Sequence, residues 1–205
     1  MVRPRFAKLP PAQQQRILAA ALEEFAAHGF HDASLNQVIE SAGISKGSMY
    51  YYFDGKDDLY AHVVRVQLEA MFARVGPFDL PVTDDPDAFW SALARYYLQL
   101  MTALEADPQL AALIRGWIAA VATPAMQQLQ QGMEQEVLPW MDRVLTEGQR
   151  IGAVRADLPT SLLLAIAAGM GQAMDTWLLT HSSASSDLPT LISAFVDMIR
   201  SALEP

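Results

Sequence analysis

The sequence predicts an all-α fold, and three observations predict it. Apolar residues recur three and four apart along the long candidate segments, the spacing of one helical face. No period-two alternation of the kind a strand needs persists anywhere. Proline, aspartate or glycine punctuates every gap between the candidate helices. The 205 residues, 52% of them hydrophobic, suffice for one or two domains with a sizeable core.

Composition removes several classes of function. Cysteine is absent, which excludes a disulfide framework, a thiolate metal site and a thiol nucleophile. Behind Met1-Val2-Arg3-Pro4-Arg5-Phe6 there is no apolar run of signal-peptide length. The longest apolar stretch, Leu162 to Met174, is too short and interrupted for a bilayer span. A cytoplasmic location with no membrane partner is the simplest expectation. Net charge is −9, but residues 1–60 carry only −1 of it and the remainder −8. The acid is therefore concentrated away from the N-terminal region, where four of the six basic residues lie in the first sixteen positions.

Residues 1–9 read as a flexible basic arm, with Arg3-Pro4-Arg5 able to follow a phosphate strand or enter a minor groove; a solvated tail is the plain alternative. Pro10-Pro11 suits a helix start. From about Ala12 to Ala27, Ile17, Leu18, Ala21, Leu22 and Phe25 form one stripe, and His28-Gly29 closes the helix. His28-x-x-His31 has no third ligand at a recognisable spacing, so no metal site is expected.

Between Ser34 and Lys56 two short helices are joined by a tight turn. Ser34-x-x-Gln37 fits a capping box for the first, and Ala42-Gly43 stops it. Ser45 caps the second, which carries Lys46, Gly47, Ser48, Met49 and three consecutive tyrosines. Ile44, Met49 and Phe53 are expected to point inward, leaving Lys46, Ser48, Tyr51 and Tyr52 on or near the outer face. A helix so presented fits a major groove, where its first residues meet base edges and phosphates. Asp54-Gly55 then turns the chain into a helix from about Lys56 to Arg74, with Asp57 and Asp58 in the dipole-favoured first turn.

The run from Arg16 to Val64 resembles the DNA-binding domain of tetracycline-repressor-like (TetR/AcrR) transcriptional regulators. The matching features are Ala20-Ala21 and Phe25, His28-Gly29-Phe30, Ala42-Gly43-Ile44-Ser45-Lys46-Gly47, and Tyr50-x-x-Phe53-x-x-Lys56-x-x-Leu59. One position departs: Ile39 stands after Val38, where the family usually has a small alanine. The resemblance implies an N-terminal three-helix helix-turn-helix DNA-binding domain over 1–56, a connecting helix over 56–74, and a helical effector-binding and dimerisation domain over 75–205. It implies that Lys46, Gly47, Ser48 and Tyr51 lie at the groove, while Ser34, Tyr50, Tyr52 and Lys56 hold phosphates and fix register.

Beyond the loop 76–86 the candidate helices are Asp87–Ala106, Pro108–Ala122, Pro124–Arg150, Pro159–His181 and Leu188–Leu203, with Ser182–Ser186 a short connector. Pro139 predicts a kink or break near Glu136. Aromatic and methionine side chains, among them Trp90, Tyr97, Met101, Trp117 and Met133, can line an adaptable apolar pocket or simply fill a core. Gln99, Arg115, Gln172 and Asp175 are the candidate orienting groups. Asp175 stands between Met174 and Trp177, an arrangement able to hold a cationic amphipathic effector; a partly exposed acid, or one paired with an arginine, is the plainer and favoured alternative. Ala165, Ala167, Ala168, Gly169, Gly171 and Ala173 permit close helix approach, and Leu191, Ile192, Phe195, Ile199 and Leu203 form a stripe. These last two helices are the expected homodimer seam, the plain alternative being that they complete the monomer core.

No paired carboxylates, phosphate loop or nucleophile elbow is found, so neither catalytic residues nor a cofactor is expected. The expectation is a ligand-responsive regulator, a repressor released from a palindromic operator by a small apolar or amphipathic effector. The rival readings are a helical small-molecule carrier or enzyme that retains a non-functional head, and a constitutive DNA binder.

Overall fold

A computed structural model describes residues 3–119, 123–181 and 187–205. Helices account for the regular structure of the described residues, in the order α1 (Pro11–Asp32), α2 (Leu35–Ala42), α3 (Lys46–Tyr52), α4 (Lys56–Val75), α5 (Pro86–Glu105), α6 (Pro108–Ala119), α7 (Pro124–Arg150), α8 (Thr160–Thr180) and α9 (Leu188–Leu203). The expected extension of α6 to Ala122 and the Ser182–Ser186 connector lie outside the described residues.

Two compact units form. The first comprises Met1–Arg74 and Leu104–Gly132, the second Val75–Ala103 and Met133–Pro205. This grouping cuts across the linear division expected at 56–75, because α1 packs against α6 as well as α2. Tyr60 explains the grouping physically. Its ring is 1% exposed, lies edge-on to Phe25 at 4.9 Å, and its hydroxyl donates to the Leu113 carbonyl at 2.5 Å. Burial pushes the phenol well above its ordinary range. Gly116 on α6 admits that hydroxyl: a Cβ there would meet Tyr60 Oη at 2.8 Å.

Two expectations for the first unit change, and the departure at Ile39 is accommodated. Gly29 adopts φ 68° inside α1, so the expected stop becomes a kink and the helical run continues to Asp32. Ile39 is half-buried while Val38 takes the core position at 1% exposure, so the bulkier residue sits beside the crossing rather than in it. The N-terminal arm is not a free tail from Arg3 onward: it is anchored at Arg3 and Phe6, with Arg5 exposed between them. Phe6 is 2% exposed and packs on Phe53 at 4.9 Å, a burial that contributes about 2 kcal/mol over leaving the ring in water.

In the second unit Phe89, Trp90, Val144, Leu145, Leu163, Ile192 and Phe195 make the core. Gly148 allows the closest approach, since a Cβ would meet Val154 Cγ2 at 2.5 Å. Across Pro139 α7 runs unbroken, so the expected break is absent. The proline lies in an exposed stretch, where water can take the carbonyl its missing N–H leaves unbonded. The apolar segment expected to be too short for a span is part of the longer α8. That helix is long and apolar enough to cross a membrane by length and composition, with 11% of its most apolar window buried.

Candidate nucleic-acid interface

α2, the intervening turn and α3 owe their shape to caps. Ser34 Oγ accepts from the Gln37 amide at 3.4 Å, as the sequence suggests. The reciprocal half of the capping box is missing, because Gln37 turns to Ser41 at 3.4 Å. The Ser34 amide instead donates to Glu24 Oε1 at 2.7 Å, a carboxylate reaching across from α1. Glu24 was missed in the sequence, although an acid between Ala21 and Phe25 on the apolar stripe was the available signal. At the far end Gly43 takes φ 64°, with its amide to Glu40 O and that of Ile44 to Ile39 O, closing α2 as a Schellman turn.

Ser45 then caps α3, accepting from the Ser48 amide at 3.0 Å and lying 2.8 Å from the Ser48 hydroxyl. Met49 and Phe53 are each 1% exposed and lock α3 from behind, while Ile44 is only half-buried. The opposite face is presented outward. Lys46 and Gly47 are exposed, Ser48 half-buried, and Tyr50 and Tyr51 are 46% and 48% exposed. Gly47 has an ordinary helical backbone, and a Cβ there would meet only Ser45 Oγ at 3.8 Å. Nothing inside the chain requires glycine at this helical position, where it costs about 1 kcal/mol against alanine. An external surface that must come close would explain it.

Two expected phosphate holders are partly engaged within the chain. Tyr52 is half-buried against the edge of Phe6. Lys56 Nζ donates to His31 O at 2.8 Å and Ala33 O at 3.2 Å, over the Phe30 ring, and so staples the α1–α2 corner. An ammonium has three donors, which leaves one to point outward.

Residues 17–63 match the family model of bacterial regulatory proteins, tetR family. These N-terminal residues are therefore a tetR-family segment. HTH-type transcriptional regulator RutR of Escherichia coli (strain K12) is 42% identical over 67 residues, 33% of this chain and 32% of RutR. The match thus spans about a third of the length of the first such relatives. A fatty acid metabolism regulator protein of Bacillus subtilis (strain 168) is 22% identical over 194 residues, covering 92% of this chain and 94% of that protein. In fold, the chain is similar to FadR from Bacillus subtilis in complex with stearoyl-CoA (TM-score 0.69, 20% identity, 93% of this chain and 99% of FadR). It is equally similar to NalD, the secondary repressor of the MexAB-OprM multidrug efflux pump in Pseudomonas aeruginosa (TM-score 0.69, 16% identity, 95% and 98% covered).

The effector candidates divide. Tyr97 and Asp175, 78 residues apart in sequence, are brought together, with the Tyr97 hydroxyl donating to Asp175 Oδ1 at 2.5 Å. Burial raises the Asp175 carboxyl above its usual range, against the lowering effect of the Tyr97 hydrogen bond. Tyr97 is pushed up by burial and then by the neighbouring carboxylate. Met101, Met170 and Met174 pack around the same core, half-buried. Trp90 is 4% exposed with its indole N–H satisfied by Ala153 O at 3.3 Å, the environment of a core residue. Gln172 and Gln99 are exposed and Met133 half-buried. Trp117 and Arg115 lie on α6 in the first unit, half-buried. No group of three or more potential metal ligands occurs among the described residues.

The stripe expected to form the dimer seam on α9 is largely used inside the chain: Ile192, Phe195 and Leu203 are 1%, 8% and 1% exposed. The free apolar surface is the α8 half of that expected seam. On α8, Leu162 and Trp177 are exposed, with Ala165, Ala168, Gly169 and Ala173 exposed between them. Met170, Ala194, Asp197, Met198, Ser201 and Ala202 line an open groove between α8 and α9.

Proposed function

We propose that this protein is a ligand-responsive, DNA-binding transcriptional regulator, a repressor that leaves a palindromic operator when a small apolar or amphipathic effector binds. The observation that carries the reading is the outward face of α3: a capped, seven-residue helix locked by Met49 and Phe53 and offering Lys46, Gly47, Ser48 and Tyr51 to the outside. Lys46 makes no ion pair among the described residues, so its charge is available to guanine edges or phosphate. Ser34, Tyr50, Tyr52 and the remaining donor of Lys56 would hold phosphates and set register. The cluster is weakly basic, so few phosphates per subunit are engaged.

Dimerisation would proceed through α8 and α9, by the small-residue face of α8 and the groove beside Met198. Two such faces bury one another about a two-fold axis, which doubles the reading heads and matches a palindrome. The same reading accounts for an apolar α8 without a bilayer, and goes with a cytoplasmic, non-enzymatic protein.

The effector would be held in the second unit at the Tyr97–Asp175 pair. A half-buried carboxylate with a tyrosine partner gains from a ligand cation, which favours a cationic amphipathic compound. Similarity to FadR favours a second class, long-chain acyl thioesters, which would use the surrounding methionines and need Asp175 neutral. Effector and DNA must weaken each other by the same factor. The test is selection of bound duplexes from a random pool, repeated with both compound classes. A palindromic consensus lost on adding one class supports the reading; absence of any enriched duplex sinks it.

A further inference from the structure

We propose that the N-terminal arm is part of the reading head: Arg3 and Phe6 position α3, and Arg5 sets the ring of Tyr51 and adds a cation beside it at the duplex surface. This rests on α3 being the groove-facing helix. The arm lies wholly outside the residues matched by the family model, 17–63.

A seven-residue helix leaves most of its carbonyls without an internal partner. Arg3 answers that need at the C-terminal end. Its amide donates to Tyr52 O at 3.1 Å and its Nη1 to Tyr50 O at 3.0 Å. Its Nε and Nη2 reach Asp54 Oδ1 at 2.9 and 2.6 Å. The Arg3 hydrogen bond holds the Asp54 carboxyl below its usual range. Three residues on, Phe6 is buried against Phe53 and His62, at 4.9 and 5.3 Å between ring centroids.

Arg5 lies between these two anchors. It is exposed, and its guanidinium carbon stands 4.2 Å over the centroid of the Tyr51 ring. A guanidinium plate on one face of an exposed ring removes rotamers the ring would otherwise sample, and its N–H edges stay free for phosphate or base acceptors. The placement matters here because residues 1–60 carry net charge −1, so one more cation at the reading face is a large fraction of the field DNA meets.

The test uses the full chain and three variants, Arg5→Ala, Arg5→Lys and Arg3→Gln. Each is taken through duplex selection, then titrated against the selected duplex at several salt concentrations, with thermal unfolding followed alongside. Arg5→Ala is expected to weaken binding about fivefold and flatten the salt slope by about one. It should broaden preference at the same base position that Tyr51→Ala broadens. Arg5→Lys restores the slope but not the preference, because an ammonium keeps the charge without the plate. Arg3→Gln broadens preference while leaving the Arg5–Tyr51 charge in place; should it fail to fold, the two Arg5 variants decide, since Arg5 is exposed. If wild type selects a duplex and both Arg5 variants match it in affinity, slope and preference, the arm is structural only and the inference is overturned. If wild type itself selects nothing, the regulator reading fails first and takes the inference with it.

Discussion

Replacing Glu24 by alanine probes the contact that holds the helix-turn-helix in register. Glu24 Oε1 accepts the Ser34 amide at 2.7 Å, and the side chain is 10% exposed. A hydrogen bond to an ionised acceptor nets roughly 1.5–3 kcal/mol. Ser34 is itself exposed, so water can take its amide in the variant, which puts the loss for Glu24→Ala at the lower end, about 1.5 kcal/mol. His28 Nε2, 3.9 Å from the other oxygen and mostly exposed, adds little. Glu24→Gln keeps an acceptor oxygen but loses the charge, and should cost about half as much. Urea unfolding at constant slope reads both values as midpoint shifts. Amide exchange at Ser34 locates the effect, speeding in the alanine variant and much less in the glutamine one. If Glu24→Ala unfolds within about 0.5 kcal/mol of wild type, the carboxylate is not what fixes the start of α2.

The other expectations are these. His62 is buried, and burial first, then Arg65, pull its pKa down to about 4. The unfolded chain therefore binds the extra proton between about 6.5 and about 4. Stability is fully present above that window and falls through it as pH is lowered, by on the order of 3 kcal/mol; His62→Phe should flatten that limb of a pH–stability profile, and an unchanged limb would refute the assignment. Gly116→Ala, which brings a Cβ to 2.8 Å from Tyr60 Oη, should destabilise by about 1–3 kcal/mol. Adding Tyr60→Phe makes room and recovers part of it, so strictly additive losses in a double-mutant cycle would contradict the contact. Tyr97→Phe removes the group that lowers the Asp175 carboxyl, so that pKa should rise further in a carboxyl-carbon NMR titration; no movement would mean the pair is not formed in solution. Lys56→Ala should weaken all duplexes alike and also speed amide exchange around Ala33, whose carbonyl it staples.

How much of this was legible follows from how local each cause is. The Ser34 and Ser45 caps, the stop at Gly43 and the inward Met49 and Phe53 depend on residues within one turn of each other, and all were readable. Glu24, Arg3 and Phe6 were not. Each acts on a group ten or more residues away, and nothing in its own neighbourhood announces the partner. The same cause hid the contact of α6 with α4, where one tyrosine hydroxyl meets one carbonyl beside one glycine. On α9 the stripe was visible but its direction was not, since periodicity says that a face is buried, not whether by its own chain or another. Among the effector candidates, sequence chemistry singled out Tyr97 and Asp175 separately, and only the fold made them a pair.

The outer face of α3 is the surface proposed to meet duplex DNA. The most direct measurement of this is the affinity of the full chain for its selected duplex across a range of salt, for wild type and for Lys46→Ala. Log K should fall linearly with log salt, with a slope of about −0.9 for each phosphate engaged, and the Lys46 variant should bind more weakly at every concentration. Affinity indifferent to salt, or unchanged when Lys46 is removed, would contradict it.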